Sequence, residues 1–120
     1  MTDRNANWGE EQWLNDQFEK MRTKFVDHGV PVLVGEFAAA KRIDRPELSG
    51  TELSRHLASR TYFDLQVVDT ANLKGLKPIY WDEGWAGKDG FALFDRNSAA
   101  VIDPDSVRAL TGGVALPPPP

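Results

Sequence analysis

Apolar residues in the first part of the chain recur at helical spacing. Leu14, Phe18, Met21 and Phe25 make one stripe, and Glu11, Asn15, Glu19 and Arg22 lie mostly off it. Asn7 followed by Glu10 marks a start for that helix. The stretch DHGVP ends it: Gly29 tolerates a left-handed backbone, and Pro31 disfavours helix in the residue before it. Residues 30–34 are then β-branched and aliphatic on both faces, which is how a buried parallel strand reads. AAAKRIDRPELSG follows as a loop. A second helix is expected over about 52–73, with Leu53, Leu57, Thr61, Leu65 and Val68 on one face. Gly75 terminates it, and LKPIYW reads as a second short strand. Helix, strand, helix, strand is the rhythm of βα units, so the fold class is α/β with two parallel strands.

The remainder is less regular. DEGWAGKDG carries three glycines in nine residues and reads as a loop. A short β excursion is expected around 91–94, and NSAA reads as a turn. Asp103 followed by Pro104 has the form of a helix cap and first turn, with that helix reaching about 110 before Gly112 and Gly113.

Composition narrows the options. A chain of 120 residues has room for one small domain, and its apolar share is enough for a core. The formal net charge of -4, with no clustered Lys or Arg, argues against nucleic acid as a partner. There is no cysteine, which excludes disulfides and thiolate metal sites. No apolar run reaches membrane-spanning length, and the start, MTDRNANWGE, lacks a signal-peptide hydrophobic region. Residues 1–7 are expected to be a flexible start, 8–112 the folded part, and 113–120, which end in four prolines, a stiff tail or linker stub.

The two strands end alike. The first runs into Glu36 and FAAAKR, the second into Trp81 and DEGWAGK. In parallel α/β folds binding and catalysis gather at the carboxyl ends of strands, so Glu36 and Trp81 are expected on one rim. Strict alternation puts Val32, Val34 and Glu36 on one face of their strand, and Ile79 and Trp81 on one face of theirs. A carboxylate beside an indole suits a sugar site. The indole is a platform for a pyranose face, and an ionised carboxylate can attack the anomeric carbon.

Plainer readings stay open at each position. A Glu just beyond a buried strand is equally a solvated rim or capping group. Trp81 alone suits loop packing, whereas Trp85, on a glycine-rich loop, is an aromatic placed to bind something. His28 reads as a helix-end residue and His56 as a helix residue without chemistry. Asp82, Glu83 and Asp89 match no calcium-loop spacing and read as a solvated loop.

Taken together these segments resemble the C-terminal part of a family 5 glycoside hydrolase, the cellulase and endoglucanase group built on a (β/α)₈ barrel. The segments that carry the resemblance are NDQFEKMRTKFVDHG, VPVLVGEF, SRTYFDLQVVDTANLKGL, KPIYWDEG and GFALFDRNSAAVIDPDSVRAL, in family order over roughly residues 8–111. The resemblance implies that the strands are the barrel's seventh and eighth. It implies Glu36 as nucleophile of a retaining mechanism, and Trp81 as the floor of the subsite beside the cleaved bond. Trp85 takes no role from the family; its loop alone places it to line the cleft. Glu83 stands where family members often carry asparagine, in WDEG rather than WDNG, and is placed near substrate. No cofactor and no metal are implied. The partner implied is a β-glucan or an oligosaccharide, with no role for a membrane.

The same resemblance exposes a shortfall. A whole barrel takes about 250 residues. The Asn-Glu-Pro type motif that carries the family's general acid/base does not occur in this sequence, and the strands that supply the residues orienting the nucleophile have no counterpart. Two parallel strands cannot close a barrel, and their edges would be unprotected. Three situations fit: the remaining barrel lies on another chain, the chain is a shortened product, or copies associate to cover the edges. The functional expectation is an endo-β-1,4-glucanase-type half-site; the alternative is a non-catalytic, weakly glucan-binding, self-associating α/β module.

Overall fold

The computed structural model describes residues 11–112. The proposed cap at Asn7 and Glu10, the N-terminal segment 1–7 and the proline-rich end lie outside those residues. The order of elements is α1 (Glu11–Lys24), a 3₁₀ turn (Val26–His28), β1 (Leu33–Phe37), α2 (Gly50–Leu73), β2 (Lys77–Tyr80) and α3 (Pro104–Leu110).

α1 begins with an acidic residue and ends with Arg22 and Lys24, which suits the helix dipole. Leu14 is its buried contact, with Phe18 and Phe25 half-buried. Two polar ties clamp it to α2: the Tyr62 hydroxyl donates to Glu11 Oε1 at 2.9 Å, and Lys74 Nζ meets Glu19 Oε2 at 2.8 Å. Gly29 takes the expected left-handed conformation at φ 78°, but His28 sits in a 3₁₀ turn rather than in the helix itself.

β1 and β2 pair in parallel, as the βα rhythm requires. The first strand begins three residues later than the 30–34 run suggested, so Glu36 lies inside the strand and not beyond it. Nor is that strand buried on both faces: Leu33 is 63% exposed, while Val32 and Val34 are half-buried. The reason is that helices cover one face of the sheet only. Pairing runs Leu33 with Lys77, Val34 with Pro78 and Phe37 with Tyr80, and the register slips between Val34 and Phe37. This bulge breaks the strict alternation expected of the strand. Val34 and Phe37 both face the helices, and Glu36 turns outward with Leu33 instead of sharing a face with Val32 and Val34.

α2 spans its expected range, but its innermost face differs from the apolar stripe. Of the five residues expected to share it only Val68 is fully buried; Leu53, Leu57, Thr61 and Leu65 are half-buried. Leu57, Thr61 and Leu65 line an open groove of about 660 Å³ between α2 and α3. The deepest positions are His56, Ser59, Arg60, Asp64, Val67, Val68 and Ala71. Arg60 can occupy this face because Asp103 of the α3 cap meets it there. Helix periodicity registers only apolar residues and so favoured the neighbouring face.

Gly75, at φ 76°, turns the chain out of α2, and an added Cβ would sit 3.1 Å from Val26 Cγ1. The expected β excursion at 91–94 forms no strand, only a single antiparallel bridge from Phe94 to Val101. The NSAA turn forms as expected: Asp95 Oδ1 accepts from the N–H groups of Asn97 and Ser98. α3 begins as its sequence suggests. Asp103 Oδ1 accepts from Ser106 N–H at 3.2 Å, and Pro104 occupies the first turn.

Candidate active site

The candidate site is the carboxyl-end rim of the sheet. Phe37 and Tyr80 are register partners and both turn toward the helices, so their neighbours Glu36 and Trp81 turn to the open face. Trp81 N–H donates to the Phe37 carbonyl at 2.9 Å, which brings the two strand ends side by side. Glu36 is exposed, as are Ile79 and Trp81, at 48% and 47%. The carboxylate and the indole expected on one rim are thus brought together. Glu36 makes no hydrogen bond or ion pair among the described residues, as fits a chain without counterparts to the strands that would supply its donors.

The two rim loops are stitched to each other. Lys41 N–H donates to the Gly90 carbonyl at 2.8 Å, and Asp89 N–H donates back to the Lys41 carbonyl at 2.7 Å. Arg45 forks across Asp89 at 3.0 and 3.2 Å. Both groups are exposed, so that pair contributes little energy and serves mainly to fix register. Asp89 adopts a left-handed backbone, φ 57°.

Within the second loop each acidic residue has its own structural partner. Asp82 Oδ1 accepts from Gly84 N–H at 2.7 Å, and its other oxygen accepts from Leu93 N–H at 3.3 Å. Glu83 Oε1 accepts from Phe91 N–H at 3.0 Å, closing the loop on itself. In this conformation Glu83 is a latch for the loop. Trp85 is 61% exposed, and its indole N–H donates to the Lys88 carbonyl at 3.2 Å. Gly87 and Gly90 pack against that ring and its backbone so closely that neither has room for a Cβ. An exposed tryptophan is therefore presented by a loop shaped around it.

Behind the rim lies a buried ionic cluster that the sequence reading missed. Arg60, 3% exposed, donates from Nε to the Ala39 carbonyl at 2.7 Å and from Nη1 to Asp103 Oδ2 at 2.9 Å. Lys41 Nζ reaches the same oxygen at 3.0 Å. Burial works to raise the Asp103 pKa. Hydrogen bonds from Arg60, Lys41 and Ser106 N–H outweigh it and hold the carboxyl below its ordinary value. His56 accepts from Arg42 N–H at 3.1 Å through Nε2. Its pKa is lowered by burial first and then by the charges of Arg42 and Arg60, so it serves as a neutral acceptor. Asp103 was legible as a cap but not as an ion-pair partner. The one signal for the cluster was the spacing of His56, Arg60 and Asp64, polar residues four apart on a helix that must bury one face.

No protein-family model matches the chain. Individual proteins do. It is 35% identical over 109 residues to endoglucanase A of Paenibacillus barcinonensis, covering 91% of this chain and 26% of that protein. Its structure superposes on a family 5 xyloglucanase from Paenibacillus pabuli with a TM-score of 0.77 and 33% identity, over 90% of this chain and 28% of that one. A GH5 xyloglucan-specific β-1,4-glucanase from a ruminal metagenomic library gives 0.78 and 30%, over 94% and 29%. The chain therefore belongs to glycoside hydrolase family 5, and it makes the C-terminal part of that family's (β/α)₈ barrel. It spans about a quarter of the length of the relatives it matches.

Proposed function

We propose that this chain carries the nucleophile side of a retaining endo-β-1,4-glucanase site, with Glu36 as nucleophile and Trp81 as the platform beneath the sugar at the cleaved bond. The observation that carries this reading is the common outward face of Glu36 and Trp81 at the ends of adjacent parallel strands. In a complete site Glu36 attacks the anomeric carbon and the glycosidic oxygen departs with a proton from a second carboxyl. Water activated by that carboxyl then cleaves the glycosyl-enzyme. The second carboxyl must stand roughly 5 Å away. Asp82 and Glu83 are engaged with backbone N–H groups of their own loop, so the acid and the donors around Glu36 come from the rest of a barrel. The substrate class is a β-1,4-glucan, plain or xylose-branched, as the names of the relatives suggest. Trp85 lines the cleft. Glu83 acts near substrate through the loop it latches, so its role there is indirect.

The test is the mass of the protein after incubation with a 2-fluoro cellobioside bearing a dinitrophenolate leaving group. That leaving group needs scarcely any acid, so the reagent interrogates the nucleophile alone. One added glycosyl mass, lost in Glu36→Gln, is expected; no adduct on the native chain rejects a working half-site.

A second reading has one observation in its favour. Leu33, Ile79 and Trp81 form an exposed apolar face on a sheet whose two strands are both edges. On this reading the chain self-associates through that face and binds glucan weakly through Trp81 and Trp85 without cleaving it. Calorimetry with cello-oligosaccharides on the native chain and on Trp81→Ala, with sedimentation to read its mass, separates the two. A monomer that gives no heat eliminates the second reading.

A further inference from the structure

We propose that Asp103 is a positioning residue for Glu36, acting through Arg60 and Lys41 on the segment that follows the strand. The inference rests on the reading of Glu36 as nucleophile and extends the site to a residue of the opposite, helical layer. Glu36 emerges at a bulge, where strand pairing alone does not fix its direction. Its placement depends on what anchors the chain just after it. Those anchors are few. The Phe37 carbonyl is held by Trp81 N–H at 2.9 Å, the Ala39 carbonyl by Arg60 Nε at 2.7 Å, the Lys41 backbone by Gly90 and Asp89 of the second rim loop, and Arg42 N–H by His56. Two side chains tied to this segment, Arg60 and Lys41, end on one oxygen, Asp103 Oδ2, at 2.9 and 3.0 Å. The other oxygen caps α3. Asp103 therefore ties the start of α3, the middle of α2 and the first rim loop to one point, and that loop's Lys41 backbone carries the second.

Stability alone does not call for this arrangement. A neutral cap would satisfy Ser106 N–H, and well-packed apolar residues often replace buried ion pairs without loss. What only a carboxylate supplies is a common acceptor for two cations arriving from different elements. Two donors meeting on one oxygen fix the angle between those elements as well as their separation.

The variant is Asp103→Asn, which keeps the volume and an oxygen for the α3 cap but removes the charge. Val67→Ala, a buried α2 position outside the cluster, controls for lost stability. Two readouts are taken on the full chain. The first is the carboxyl ¹³C resonance of Glu36, assigned by its loss in Glu36→Gln. The second is the rate of labelling by the activated 2-fluoro cellobioside. The resonance is expected to shift or broaden in Asp103→Asn and to stay in place in Val67→Ala, with labelling slowed tenfold or more in the first only. A Glu36 resonance unchanged in Asp103→Asn overturns the proposal. A native chain that is never labelled, but whose Glu36 resonance responds to Asp103→Asn, rejects the nucleophile reading while the positioning stands. If Asp103→Asn does not fold, Lys41→Gln removes one of the two cations and leaves the cap intact; the same two outcomes then decide.

Discussion

The rings of Phe37 and Tyr80 meet edge to face on the helix side of the sheet, with centroids 5.5 Å apart and planes at 87°. This contact joins the two strands where their backbone pairing is irregular. Phe63 of α2 completes it, edge-on to Phe37 at 6.5 Å. Because both partners point to the helices, the residues beside them, Glu36 and Trp81, point away. The rim is set by what packs behind it.

Phe37→Ala should therefore cost stability and loosen the rim. Full truncation of a buried Phe costs about 3–5 kcal/mol; Phe37 is half-buried, so about 2 kcal/mol is expected. Urea unfolding measures it. A change below about 0.5 kcal/mol would mean the aromatic cluster does not hold the strand ends together.

Gly90 has no room for a side chain: a Cβ there would overlap the Trp85 carbonyl oxygen and come 2.8 Å from its Cδ1. Gly90→Ala should force the Trp85 segment to move, at a cost of about 1–3 kcal/mol. The indole N–H of Trp85, bonded to the Lys88 carbonyl, reports the movement. Its NMR resonance should shift and its hydrogen exchange quicken, with the Trp81 signal as reference. Unchanged exchange at Trp85 would refute the loop geometry.

Ala99 holds a left-handed backbone, φ 56°, in an exposed turn. For an L-residue this costs roughly 1–2 kcal/mol, part of which glycine recovers. Glycine also gains freedom in the unfolded chain, which offsets some of the gain. Ala99→Gly is expected to stabilise the protein by about 0.5 kcal/mol, or one to three degrees in Tm. A fall in Tm would show that the turn does not require this conformation.

Much of this molecule could be read from local signals. Gly29 and Gly75 end helices because backbone sterics favour glycine at left-handed turns, and Asp103 with Pro104 opens α3 for equally local reasons. The rim positions of Glu36 and Trp81 were legible because both close short runs that read as strands. The bulge in β1 was not, since an extra residue between Val34 and Phe37 leaves the composition of the strand unchanged. The inner face of α2 was hidden for a different reason. Its Arg60 is held by Asp103, far away in sequence, and periodicity cannot register a partner from another element. Glu83 was placed near substrate by its position alone; its bond to Phe91 N–H emerges only when the loop closes.

Asp64 makes the last prediction. It is completely buried in α2, and neither of its carboxyl oxygens has a hydrogen-bond partner among the described residues; the nearby Ser106 hydroxyl is also unpaired. Burial pushes its pKa up to about 6, Ser106 and Arg60 offset this in part, and the Asp103 charge adds to it. The folded state therefore holds a proton on Asp64 more tightly than the unfolded chain, where the group titrates near 3.8. Between about pH 4 and 6 the folded state binds more protons, so this group's contribution to stability falls as pH rises, then stays flat above about 6. The whole span is about 2–3 kcal/mol. Asp103 acts with the opposite sign, since its lowered pKa contributes stability that is lost on acidification, so the native profile alone does not isolate Asp64. Asp64→Asn does. Any cost of burying an amide there is independent of pH. The stability difference between variant and native should therefore shift in the variant's favour by about 2–3 kcal/mol between pH 4 and 7.5. Urea unfolding at those two pH values measures the shift, and a difference that is the same at both would show that Asp64 titrates normally in the folded protein.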